Sequence, residues 1–93
     1  ARVLASAQAE VRRLITVCRN SSRRYEAINR GGLRFNAANQ INMNLAMDTE
    51  RKAEPFRKKA QRAKDQAEKL LETVPDPDGK LKEQVEGCDS ESD

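Results

Sequence analysis

Apolar residues recur along the first third of the chain at positions 4, 7, 11, 14, 18, 25 and 28. This alternating three- and four-residue step keeps side chains on one face of an α-helix. Leu4, Val11, Cys18 and Tyr25 fill one set of positions in the seam, Ala7, Leu14 and Ile28 the other, and Ser21 interrupts it. The remaining faces carry Arg12, Arg13, Arg19, Arg23, Arg24 and Arg30. The pattern predicts an amphipathic helix over residues 2–30 with a basic exterior. Gly31-Gly32 follows, and two glycines cost a helix up to about 2 kcal/mol relative to alanine while readily supplying positive φ. A reversal of the chain is expected there.

Beyond the glycines the apolar positions change phase. Leu33, Ala37, Ala38, Ile41 and Leu45 lie on a face rotated away from the first seam, and the strict four-three spacing resumes at Phe56, Ala60, Ala63, Ala67, Leu70 and Val74. A phase change of this kind separates two helices. Pro55 stands between the two patterns, where it either starts a new helix or kinks a long one. Val74-Pro75-Asp76-Pro77-Asp78-Gly79 ends the helical region, since the prolines remove donors and the glycine favours a turn. From Lys80 to Glu86 the chain can form a helical turn or two, with Leu81 and Val85 four residues apart. The expected fold is all-α: an antiparallel helical hairpin or small three-helix bundle over residues 1–74, with helices at about 2–30, 33–53 and 55–74. Residues 75–93 read as a Pro/Gly turn and a mobile acidic tail.

Composition narrows this reading. The 93 residues are 37% hydrophobic and include three aromatics, Tyr25, Phe35 and Phe56, a thin supply for a core. Ala, Lys, Arg, Glu and Gln, which lose least on entering a helix, are abundant. Ala60, Ala63 and Ala67 allow close approach to the Val11, Leu14 and Cys18 face, but each buries little area, so the domain should gain stability from a partner or from self-association. No apolar run is long enough for a transmembrane span. No charged-then-apolar leader is present, and Ala1 is compatible with removal of an N-terminal targeting segment. An intracellular setting is favoured.

Charge is segregated. Residues 1–64 hold fifteen Lys/Arg against five Asp/Glu, a formal +10, and residues 65–93 hold three against ten, a formal −7. Arg12, Arg13, Arg19, Arg23 and Arg24 form one candidate basic ridge, and Arg51, Lys52, Arg57, Lys58, Lys59, Arg62 and Lys64 a second. Arginine suits bidentate carboxylate or phosphate recognition, whereas lysine provides a diffuse positive field. The acidic tail is either a solubilising end or a weak, screened competitor that folds back on these ridges.

Candidate chemistry is sparse. The chain has no histidine, and it has no Gly-rich phosphate loop, metal-ligand spacing or paired-carboxylate motif; neither catalysis nor a cofactor is expected. Cys18 and Cys88 are read as free thiols, the alternative being a disulfide that closes a long loop. Asn36, Asn39, Gln40, Asn42 and Asn44 form either a solvated polar face or buried amides that fix register. The leading expectation is a non-catalytic helical protein-interaction module or assembly subunit, contacting other proteins or a second copy through seam and ridges. The rival is sequence-nonspecific binding of a nucleic-acid backbone, with no aromatic platforms left over for base stacking.

Overall fold

The computed structural model describes residues 2–39 and 43–89, with side-chain surroundings for 5–31 and 47–89. Helix α1 spans Arg2–Asn39, α2 spans Met43–Leu71 and α3 spans Lys80–Gly87. The fold is all-α, as the periodicity requires. α1 and α2 lie antiparallel along most of their length. Gln8 Nε2 donates to the Pro75 carbonyl at 3.1 Å, while farther along α1 the Arg24 guanidinium sits 5.7 Å above the Phe56 ring.

The core is the predicted alanine seam closed against the first helix. Val11, Leu14 and Cys18 of α1 are buried together with Ala60, Ala63 and Ala67 of α2 and with Val74. Tyr25, Ile28, Phe56 and Leu70 are half-buried at its edges. Ile15, off the predicted seam, is also buried, because the buried face of α1 is wider than the three-four seam and Leu81, Val85 and Cys88 join the same cluster. Leu4, Ile41, Leu45 and the amides of 36–44 lie outside the described side chains.

Two expected breaks are corrected. α1 runs unbroken through Gly31-Gly32 to Asn39, so the first helix does not end at residue 30 and the reversal falls after Asn39. Ending a helix leaves four carbonyls and, at the next start, four N–H groups without intrahelical partners. The roughly 2 kcal/mol that two glycines cost does not outweigh that loss. α2 likewise continues across Pro55, so no helix starts there and the 33–53 and 55–74 boundaries do not hold. The proline withdraws the donor that would reach the Arg51 carbonyl, and Arg51 lies on the exposed face, where water can accept the role.

The largest correction concerns the acidic segment. Residues 75–89 are not a mobile tail but a turn and a short helix packed on the hairpin, with Leu81, Val85 and Cys88 buried; residues 90–93 lie outside the described residues. Cys18 and Cys88 are joined in a disulfide with their Cα atoms 5.7 Å apart, so neither thiol is free. Leu81, Val85 and Cys88 step by four and three, giving α3 its own apolar stripe. Two aspartates of the segment serve as caps. The Asp76 carboxylate accepts the Leu81 and Lys82 N–H groups at 3.2 and 3.0 Å, and Asp78 accepts that of Lys80 at 3.1 Å. These satisfy donors at the helix start, where the chain turns through Gly79 at φ 70°, a value that glycine adopts without strain.

Candidate functional site

All twelve cations of the two predicted ridges lie on the surface, eleven exposed and Lys64 half-buried. Their electrostatic states differ. Four are neutralised within the fold. Arg13 pairs with Glu10, Lys52 with Asp48 at 3.2 Å, Arg57 with Glu54 and Lys64 with Asp89 at 3.0 Å. The guanidinium hydrogen bonds from Arg13 and Arg57 hold the Glu10 and Glu54 carboxyls below the usual carboxylate range, and each arginine is raised in return. Arg24 is occupied above Phe56. Among the described residues, no ion pair engages Arg12, Arg19, Arg23, Arg51, Lys58, Lys59 or Arg62.

Six of those seven fall on two rows. Arg12, Arg19, Arg23 and Arg30 step by seven, four and seven along α1, and Arg51, Lys58, Arg62 and Lys69 repeat that step along α2. Such spacing returns to the same helical face, and at 1.5 Å per residue each row is about 27 Å long. Both rows point away from the buried seam, and every member is exposed. The α1 row borders a cleft shared with α3, whose lining includes Arg19, Arg23 and Lys80 as well as Glu26, Glu83 and Asp89. The α2 row borders a shallow hollow that also includes Tyr25, Met47 and Pro55. Met47, 54% exposed, is the exposed large hydrophobic residue among those described.

The fold thus separates the two groups of predicted contact residues. Among the described residues, Val11, Leu14, Cys18, Ala60, Ala63, Ala67 and Val74 of the seam are spent on the internal core, and the basic rows face outward. The ridges as read from local density take in cations that are paired within the fold; the seven-four-seven step picks out the two rows by their helical face and adds Arg30 and Lys69 as their ends. Ser21 is the buried polar residue among those described, and no group of three or more His, Cys, Asp or Glu is placed there to hold a metal ion. No described helix is long and apolar enough to cross a membrane. No family model matches the chain, and comparison with curated proteins and with solved structures finds no match.

Proposed function

We propose that the protein is a non-catalytic interaction module, a disulfide-stapled helical rod that holds an acidic protein surface with its outward rows of arginine and lysine. The observation that carries this reading is the set of seven surface cations that form no ion pair among the described residues, on a hairpin whose Val11, Leu14, Cys18, Ala60, Ala63 and Ala67 are already buried. Contact with a partner is therefore polar and salt-sensitive. The buried disulfide supports action in an oxidising compartment, where such bonds persist, against the intracellular setting expected from free thiols.

An acidic protein patch fits better than a long nucleic acid. The half of the rod containing residues 18–64 carries twelve Lys/Arg against four Asp/Glu, whereas residues 2–17 and 65–89 together carry six against nine. A polyanion laid along the 57 Å length would be attracted at one half and repelled at the other, and a short acidic patch would meet only the basic half.

Titration of the intact, oxidised protein with poly-glutamate and with duplex DNA, each over a range of salt, tests the reading. Tighter binding of poly-glutamate, weakened when Arg19, Arg23, Arg51 and Lys58 are changed to Gln, is expected. Tighter binding of the duplex, with log affinity falling linearly against log salt, would replace the protein partner by a nucleic acid.

A further inference from the structure

In the shallow hollow beside the α2 row, apolar surface and cations without ion pairs meet on the outside of the rod. Its apolar lining is Met47, 54% exposed, with the exposed ring of Pro55 and the half-buried Tyr25. Pro55 also has no N–H to donate to the carbonyl four residues back, so Arg51, which lines the same hollow, brings a backbone acceptor without its helical donor.

Six charged groups complete the lining, and spacing divides them between two edges. Glu50, Glu54 and Arg57 step by four and three along one edge, and Arg51, Lys58 and Arg62 by seven and four along the other; such steps keep side chains on one side of a helix. Glu54 and Arg57 pair with each other. Arg57 is raised first by that hydrogen bond and, to a lesser extent, by the charge of Glu50. The first edge sums to a formal −1 and the second to +3. None of the three cations on the second edge forms an ion pair among the described residues.

We infer that this hollow takes an acidic peptide segment carrying one large apolar side chain, which lies over Met47, Pro55 and Tyr25 while flanking carboxylates reach Arg51, Lys58 and Arg62. Those cations span about 17 Å of helix at 1.5 Å per residue, the reach of about five extended residues. The flexible thioether of Met47 adapts to apolar partners of different shape. A phosphate backbone offers charge alone and leaves Met47 in water, whereas a peptide answers both features and has N–H groups to donate to the Arg51 carbonyl. This inference rests on the reading that the α2 row holds an acidic protein surface, and adds the apolar residue by which one such surface is told from another.

Tyr25 is the single tyrosine of a chain without tryptophan, so its fluorescence reports occupancy of the hollow in the intact oxidised protein. Two probes are titrated at about 20 mM salt: acetyl-Glu-Glu-Leu-Glu-Glu-amide and the same peptide with alanine in place of leucine. The leucine peptide is expected to bind at least about fourfold more tightly, the effect of burying one of its three additional carbons. Met47→Ala should bring the two affinities together, and Met47→Leu, which conserves volume, should keep them apart. R51Q/K58Q/R62Q should weaken both peptides about tenfold, from a factor of about 2 to 3 for each exposed pair lost, and leave their ratio unchanged.

Equal affinity of the parent for the two peptides overturns the inference, as does a preference that survives Met47→Ala. So does a single-stranded oligothymidylate that outcompetes the leucine peptide, which gives the hollow to a nucleic-acid base, or a dimer in sedimentation equilibrium that Met47→Ala dissolves, which gives it to a second copy. The substituted positions are exposed, and circular dichroism confirms that each variant keeps its helices. Poly-glutamate binding by the same samples separates the two readings. A parent that binds poly-glutamate and both peptides alike loses only the apolar side chain as a determinant, and one that binds none of them loses both readings.

Discussion

Opening the Cys18–Cys88 bond is the perturbation with the largest calculable effect. The bond joins residues 70 positions apart, and the loop-entropy relation assigns a cross-link of that span about 4 kcal/mol at 25 °C. A domain of this size has roughly 5–14 kcal/mol of stability in all, and the alanine seam places this one toward the lower end. Reduction should therefore remove a large share of the total. The loss should begin at α3, because an eight-residue helix is well below the roughly 12–15 residues at which isolated helices become marginal. Its remaining buried anchors are Leu81 and Val85. Urea unfolding followed by circular dichroism, with and without a phosphine reductant, gives the total effect. Limited trypsin digestion gives its location, since Lys80 and Lys82 lie on α3. The expected outcome is a fall of about 4 kcal/mol with preferential cleavage at those two lysines, reproduced without reductant by C18A/C88A. A change below about 1 kcal/mol, within the range of one ordinary hydrogen bond, or unchanged cleavage at Lys80 and Lys82, would refute the assignment of the bond as the clamp on α3.

Two further outcomes follow from local geometry. Gly31 is helical and exposed, and a Cβ built there meets no atom within 4 Å, so Gly31→Ala should stabilise the protein by up to about 1 kcal/mol, read as a higher thermal midpoint. A chain that reversed at Gly31-Gly32 with positive φ would instead lose stability. Asp76→Ala removes the carboxylate that accepts two N–H groups at the start of α3 and should cost about 1 kcal/mol, whereas Glu83→Ala, at an exposed position, should change the urea midpoint little.

The parts of this fold that the sequence made legible are those marked by repetition. Val11, Leu14, Cys18, Ala60, Ala63 and Ala67 recur at intervals that no other regular structure shares, and they form the core. Single local signals misled. Gly31-Gly32 and Pro55 are strong breakers in isolation, but their cost is set against the hydrogen bonds that interruption would forfeit. Ile15 was hidden because a seam of alternating threes and fours describes burial against one neighbour, and the core of α1 also takes in residues of α3. The disulfide had no local signature. Two cysteines 70 positions apart reveal their proximity only once the hairpin and the return of α3 are in place. Leu81 and Val85 were visible as a pair, and adding Cys88 three residues on would have extended them into a stripe with a cysteine at its end.

The docked α3 also changes what charge segregation means. Read as a tail, residues 75–93 would be a removable electrostatic competitor, and their deletion would strengthen acidic-partner binding. In the fold, that deletion takes Leu81, Val85 and Cys88 from the core, the Asp76 cap from α3 and the Asp89 partner from Lys64. Its effect on binding would be inseparable from loss of structure. Part of the acidic charge is structural: Asp76 and Asp78 satisfy backbone donors, and Asp89 anchors the end of the segment on α2 through Lys64. The acidic residues of 65–93 that lie on α2, Asp65, Glu68 and Glu72, cannot fold back onto Arg51 and Lys58, because a helix holds them about 10 Å or more apart along its axis; the basic neighbours of Asp65 and Glu72 one turn away are Arg62 and Lys69, at the spacing where helical side chains meet.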